Sequence, residues 1–222
     1  MSWGSLAEFL RPHKTIPRTI WTSNGRWDLS LSRVAILFTG LFIFGLGDAL
    51  LIQSNIGNTP WSVLAQGVSQ RFDITLGWST FLISGAVLLA WIPLREKPGF
   101  GTISNLIIIA VAIEIGVTLI PMQSNFFVSL LFCFLGIGMI GVATSLYITC
   151  GLGPGPRDGL MTGLHKRTGV RVGRVRLGIE SCAVAVGALL GGNVGPGTLF
   201  FALLIGQSVA VALGVVGRFT SK

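Results

Sequence analysis

An all-α membrane protein of six transmembrane helices, arranged as two inverted three-helix repeats that each carry a short interrupted or re-entrant helix, is the fold class this sequence predicts. Three observations carry that expectation: a charge-poor apolar composition, apolar stretches of bilayer length, and a chain that repeats itself at one register. Of the 222 residues, 51% are apolar and 11% charged, with a mean hydropathy of +0.76; ordinary soluble domains carry about 25% charged residues. The formal charge of +8 does not indicate nucleic acid, because the lysines and arginines lie between long apolar runs rather than on a basic face interleaved with aromatics.

Crossing about 30 Å of hydrocarbon takes roughly 20 mostly apolar residues in a helix, since lipid offers no partner for a free backbone amide. The stretches that qualify run approximately Arg33 to Ser54, Leu76 to Pro93, Gly101 to Ile120, Phe126 to Thr149, Val172 to Leu190 and Thr198 to Val216. Two further segments, Pro60 to Phe72 and Pro156 to Thr168, each open on a proline and are too short to cross. Positively charged loops are retained in the cytoplasm. With both termini inside, every lysine and arginine except Arg71 falls on the cytoplasmic side. Residues 1–31 contain no apolar stretch of the length a signal peptide requires. They read as a cytoplasmic or interfacial segment, with Trp3, Phe9, Trp21 and Trp27 at headgroup level.

The repeat becomes visible when the chain is shifted by 96 positions. Gly57 then aligns with Gly153, Pro60 with Pro156, Leu64 with Leu160, Gly67 with Gly163, Arg71 with Arg167 and Gly77 with Gly173. The same shift pairs Gly45 with Gly141, Gly99 with Gly195, and Gly101–Thr102 with Gly197–Thr198, without a gap. The resulting units are residues 32–121 and 122–217, followed by a cytoplasmic tail, 218–222. Three spans per unit is an odd number, so the second copy enters the membrane from the opposite side, as in many secondary transporters whose sites form where interrupted helices meet.

The densest cluster of helix breakers is GLGPGPRDGL, residues 151–160. Pro154 and Pro156 cannot continue the preceding helix, and Pro156 suits the first turn of a new one. The free amides and positive dipole end of that turn favour an anion, and Arg157 adds a planar donor fork. Asp158 competes, because its carboxylate can cap the same amides. The candidate substrate-binding residues are therefore Gly155, Pro156, Arg157 and Asp158, with Pro60 and Trp61 at the equivalent point of the first copy. Carboxylates inside apolar spans cost roughly 2.5–3.5 kcal/mol on insertion scales and so face a partner, water or a function. Asp48, Glu114 and Glu180 are the candidate coupling groups; Glu180 follows Arg176 by one helical turn, which also allows an ion pair within the helix. Cys133, Cys150 and Cys182 show no CxxC pairing and no histidine cluster, so no metal site is expected and packing is their expected use. The glycines at 40, 45 and 47 and at 136, 138 and 141 give small-residue faces for close helix packing.

The segments GPGPRDGLMTGLHKRTG (Gly153 to Gly169), VGRVRLGIE (Val172 to Glu180) and GGNVGPGT (Gly191 to Thr198), with IGNTPWSVL and GFGTISN in the first copy, resemble the YczE-like integral membrane proteins of the YczE/YyaS/YitT grouping. The likeness covers about residues 33 to 216. It implies a bacterial inner-membrane protein and supports the topology more than any mechanism. The residues themselves favour a small-solute transporter or permease, with a non-catalytic partner or assembly factor of another membrane complex as the alternative. Catalysis is not expected, since no serine, histidine and acid arrangement is visible and the aspartates that a headgroup transferase needs do not follow Asp158. No cofactor is expected. The expected partners are the lipid bilayer, an unidentified small solute and, as the candidate protein partner, a second copy of the chain; nucleic acid is excluded.

Overall fold

The computed structural model describes residues 15–220; Trp3 and Phe9 lie outside the described residues. The chain is built from helices: α1 (Leu31–Gln53), α2 (Pro60–Phe72), α3 (Leu76–Leu89), α4 (Trp91–Leu94), α5 (Phe100–Leu119), α6 (Phe126–Thr149), α7 (Pro156–Thr168), α8 (Val172–Leu189) and α9 (Pro196–Thr220). Both short helices begin at the proline that marks them in sequence, and each ends in a left-handed residue, Asp73 and Gly169. Such a residue satisfies the last carbonyls and stops the helix.

Among the described residues, five helical stretches are long and apolar enough to cross a membrane: Leu31–Gln53, Leu76–Leu94, Phe100–Leu119, Phe126–Thr149 and Pro196–Thr220. The sequence expectation was six. Helix α8 has 18 residues but carries Arg174, Arg176 and Glu180, and those charges keep it out of the set. Many of the apolar side chains that the chain leaves uncovered, such as Val111, Leu131 and Leu203, lie on these helices, where lipid replaces water as their neighbour.

The centre of the fold is the pair α1 and α6, which run antiparallel. Gly40 lies against Ala143 to Tyr147, and Gly47 against Gly136 to Ile140, so position rises along one helix as it falls along the other. Small residues are required because a Cβ at Gly47 or Gly136 would press on the facing backbone carbonyl. Gly138, expected on the same face, has open space instead.

Outside this pair the contacts recur at the 96-residue register. The amide of Gly101 donates to the Leu152 carbonyl at 2.8 Å, and that of Gly197 to the Ile56 carbonyl at 2.8 Å. Gly67 packs on Leu190 as Gly163 packs on Leu94, and Gly45 meets Ala112 as Gly141 meets Ser208. Each half therefore supplies the helix start, at α5 or α9, that seats on the break before the other half's short helix. Gly57 and Gly153, both in the left-handed region at φ of 119° and 112°, make those breaks possible, since no residue with a Cβ is at ease there.

Residues 19–28 form a strap across the end of α6. Trp21 Nε1 donates to Thr149 Oγ1 at 3.1 Å, the Ser23 amide to the Cys150 carbonyl at 2.9 Å, and the Arg26 side chain to the Lys97 carbonyl. Of the two tryptophans expected at headgroup level in this stretch, Trp21 packs inward on the core and Trp27 is exposed. Cys133 and Cys150 are buried, as packing requires, whereas Cys182 is exposed on α8.

Candidate solute-binding cavity

The two short helices point their first turns at each other. Trp61 and Arg157 are equivalent positions in the repeat, and the Arg157 guanidinium lies 5.0 Å from the centre of the Trp61 ring, within cation–π range. Around this contact is a cavity of about 370 Å³, at the small end of the roughly 300–1,000 Å³ typical of ligand pockets. Both halves line it. The first contributes Asp48, Thr59, Trp61, Ser84 and Asn105; the second contributes Tyr147, Gly155, Arg157, Asp158, Arg176 and Glu180. Its apolar wall is Phe44, Ile109, Ile140, Met161, Phe201 and Ile205.

Asp48 is fully buried on α1. The chain reverses after α1, bringing Thr59 and Ser62 back beside it. Its Oδ1 accepts from Ser62 Oγ at 2.9 Å and from Thr59 Oγ1 at 3.1 Å. Its Oδ2 has no partner among the described residues. Thr59 is also the N-cap of α2, accepting from the Ser62 amide at 3.2 Å, so the first turn of that helix is satisfied from within.

Helix α7 is finished differently. Gly155 stands where Thr59 stands in the first copy and brings no side-chain acceptor. The amides of Arg157 and Asp158 have no acceptor among the described residues. Asp158, which the sequence allowed as a cap for its own helix, turns away: its Oδ2 accepts from the Tyr147 hydroxyl at 2.6 Å. The Arg157 side chain makes neither a hydrogen bond nor an ion pair among the described residues, and it lines the cavity beside the uncapped turn.

The remaining sequence candidates divide. Glu180 lines the cavity and forms the expected pair with Arg176 at 2.8 Å. That side is the more open one, with the Arg176 side chain 46% exposed. Pro60 and Pro156 do not line the cavity. They fix the first turns of α2 and α7, and the Pro156 carbonyl accepts from Trp91 Nε1 at 2.9 Å. Glu114 is also outside it; its Oε2 accepts from the Gly77 amide at 2.7 Å, capping α3. Sequence reasoning missed Tyr147, Ser84 and Asn105. Only Tyr147, the sole tyrosine of the chain, carried a signal, as a polar ring in an apolar span. Among the described residues, no group of three His, Cys, Asp or Glu side chains comes together to hold a metal ion.

A multi-pass helical membrane protein with a polar cavity between two interrupted halves is the class that this architecture defines. Residues 31–213 match the model of a family described as "Family of unknown function (DUF6198)". The chain is 42% identical to an "Uncharacterized protein" of Haemophilus influenzae, over 92% of this chain and 94% of that one. It is 34% identical to the "Uncharacterized membrane protein YczE" of Bacillus subtilis, over 82% and 85% of the two chains. With the "Uncharacterized protein YyaS" of the same organism the identity is 29%, over 82% and 94%. The chain belongs to this YczE-like family of membrane proteins. No solved structure matches it.

Proposed function

We propose that the protein is a small-solute transporter or permease of the bacterial inner membrane and that the cavity between α2 and α7 is its solute site. One observation carries the reading: groups from both halves converge on the cavity, and Asp48 Oδ2 in one half and the Arg157 guanidinium in the other are left without a hydrogen-bond partner among the described residues. In this reading α8 is the sixth span, its charged residues occupying the turns nearest the cytoplasm and the apolar stretch from Ser181 to Leu189 entering the bilayer. The halves are then inverted repeats, with both termini cytoplasmic. The antiparallel α1–α6 pair and the contacts recurring at the 96-residue register support the inversion, and the distribution of lysine and arginine supports the orientation. Inverted repeats that meet at interrupted helices give a route to alternating access, in which one half rocks against the other around a fixed site. The protein's own groups bind and release; no bond is made or broken, so no enzymatic role is assigned.

The test is uptake by proteoliposomes containing the purified chain, screened over solutes and ion gradients. Arg157→Gln is expected to reduce flux at least tenfold while Glu114→Gln leaves it intact, because only the first faces the cavity. A folded, reconstituted protein that moves no solute under any gradient overturns the reading. The alternative of a non-catalytic partner rests on the exposed Arg171 and Arg174 at the start of α8, and a copurifying membrane protein without flux would favour it.

A further inference from the structure

The polar groups that the protein leaves unused in the cavity have opposite sign, and their placement describes a ligand. On one wall is a carboxylate oxygen, Asp48 Oδ2, buried and without a partner. Its neighbouring oxygen is already held by Ser62 and Thr59, so the free one is fixed in direction rather than free to turn toward them. Also in the lining, and within electrostatic reach of Asp48, is the guanidinium of Arg157, held over the Trp61 ring, beside two amides of an uncapped helix start. A buried unpaired carboxylate oxygen calls for a donor, and a cation is the strongest one. A helix start with an arginine fork calls for an anion.

We infer that the cavity binds a small zwitterion, its anionic group taken by Arg157 and the first turn of α7 and its ammonium by Asp48. This rests on the solute-site reading and names the substrate class within it. A simple anion would satisfy the α7 wall and leave Asp48 Oδ2 bare. A simple cation would do the reverse, leaving the Arg157 guanidinium and the α7 amides without an acceptor. A molecule carrying both charges satisfies both walls without changing the net charge of the site. Its size is bounded by the cavity of about 370 Å³, and the apolar wall accommodates a short carbon body between the two ends.

The experiment compares whole molecules with their halves on the full-length protein in detergent or nanodiscs. The probes are the ω-amino acids from glycine to 5-aminovalerate, the carboxylates from acetate to pentanoate, and the amines from methylamine to pentylamine, read by calorimetry and by shift of the unfolding temperature. At least one amino acid is expected to bind ten times more tightly than both its carboxylate and its amine, a comparison that needs no variant. Asp48→Asn is expected to remove the advantage of the amino acid over the carboxylate, and Arg157→Gln its advantage over the amine. Circular dichroism establishes that each variant is folded, and Asp48→Glu, which keeps the charge, is expected to recover part of the affinity. Equal binding of carboxylate and amino acid, or no binding of any amino acid by folded protein, overturns the inference. Flux of some other solute alongside that result would leave the transport reading standing. Tight zwitterion binding with no flux would do the opposite, supporting the ligand class and removing transport.

Discussion

The starts of α2 and α7 are equivalent positions of one repeat, finished in opposite ways. At Pro60 the turn is closed: Thr59 caps it, and Ser62 and Thr59 together spend their hydroxyls on Asp48. At Pro156 it is open: Gly155 cannot cap, Arg157 takes the place of Trp61, and Asp158, in the place of Ser62, is drawn off by Tyr147. The backbone frame is shared, since the Gly101–Leu152 and Gly197–Ile56 bonds have the same length. The frame is therefore common to both starts, and the difference lies in three pairs of side chains around the shared proline: Thr59/Gly155, Trp61/Arg157 and Ser62/Asp158. A further pair, Asp48 and Thr144, places the buried acid on only one side.

The largest expected effect breaks the comparison at its packing. Behind α2, Val63 lies against Gly187; behind α7, the equivalent positions are exchanged in size, with Gly159 against Trp91. A Cβ at Gly159 would fall within the Trp91 ring, and that ring is 1% exposed and tied to the Pro156 carbonyl, so it cannot swing aside. Gly159→Val is expected to cost about 3 kcal/mol, the upper part of the range for overpacking a tight core. Thermal unfolding in detergent measures it. Gly85→Val, at a glycine with open space around it, is the control and is expected to leave the melting temperature unchanged. A tolerated Gly159→Val would mean that the seat of α7 is not the rigid element the site requires.

Tyr147→Phe comes next. The hydroxyl it removes gives a 2.6 Å hydrogen bond to a carboxylate, worth about 2 kcal/mol when one end is ionised and little water competes. The functional consequence is separate from that loss. A freed Asp158 carboxylate can return to the amides of its own helix and become the cap that the sequence alone suggests. The expected outcome is lower stability together with weaker ligand binding. If binding is unchanged, Tyr147 does not keep the α7 start open.

Gly155→Ser sharpens the contrast most directly, because it makes the second start resemble the first. The nearest atoms to an added Cβ are those at the flexible end of Asn105, and the serine hydroxyl supplies a cap acceptor. Serine in place of glycine at an N-cap is worth a few tenths of a kcal/mol, so the melting temperature is expected to hold or rise slightly. Ligand affinity is expected to fall about tenfold, since the amides are then taken. Stability and binding moving in opposite directions is the signature of a helix start left open for a ligand. A parallel fall in both would point to simple damage.

Much of this arrangement was legible in the sequence, for identifiable reasons. Proline at the first turn fixed the starts of α2 and α7 to the residue, and the glycines at constant register revealed which contacts would recur. The pairing of Arg176 with Glu180 followed from helical spacing. What was hidden depends on chain reversal. Asp48 had no partner near it in sequence because Thr59 and Ser62 reach it only after the break turns back. The destination of Asp158 was unreadable because Tyr147 belongs to the preceding long helix. Ser84 and Asn105 line the cavity but are ordinary polar residues in apolar spans, with no pattern to mark them. The sixth span is left unconfirmed at α8, where an apolar stretch and a charged stretch share one helix.

Glu114 offers the smallest effect and a second pair of helix starts to compare. At α3 the Gly77 amide donates to Glu114 Oε2 at 2.7 Å, while at α8 the equivalent Gly173 amide has no acceptor among the described residues. Here the first copy holds the charge and the second does not, the reverse of α2 and α7. An anion at a helix N-terminus contributes about 0.3–1 kcal/mol, and Glu114→Gln keeps an acceptor oxygen while removing that charge. The expected result is a loss of about 0.5 kcal/mol in detergent unfolding, with uptake and zwitterion affinity unchanged. Loss of uptake with binding intact would instead return Glu114 to the coupling role its position in an apolar span suggests, and would move the coupling machinery away from the cavity to the α3–α5 contact.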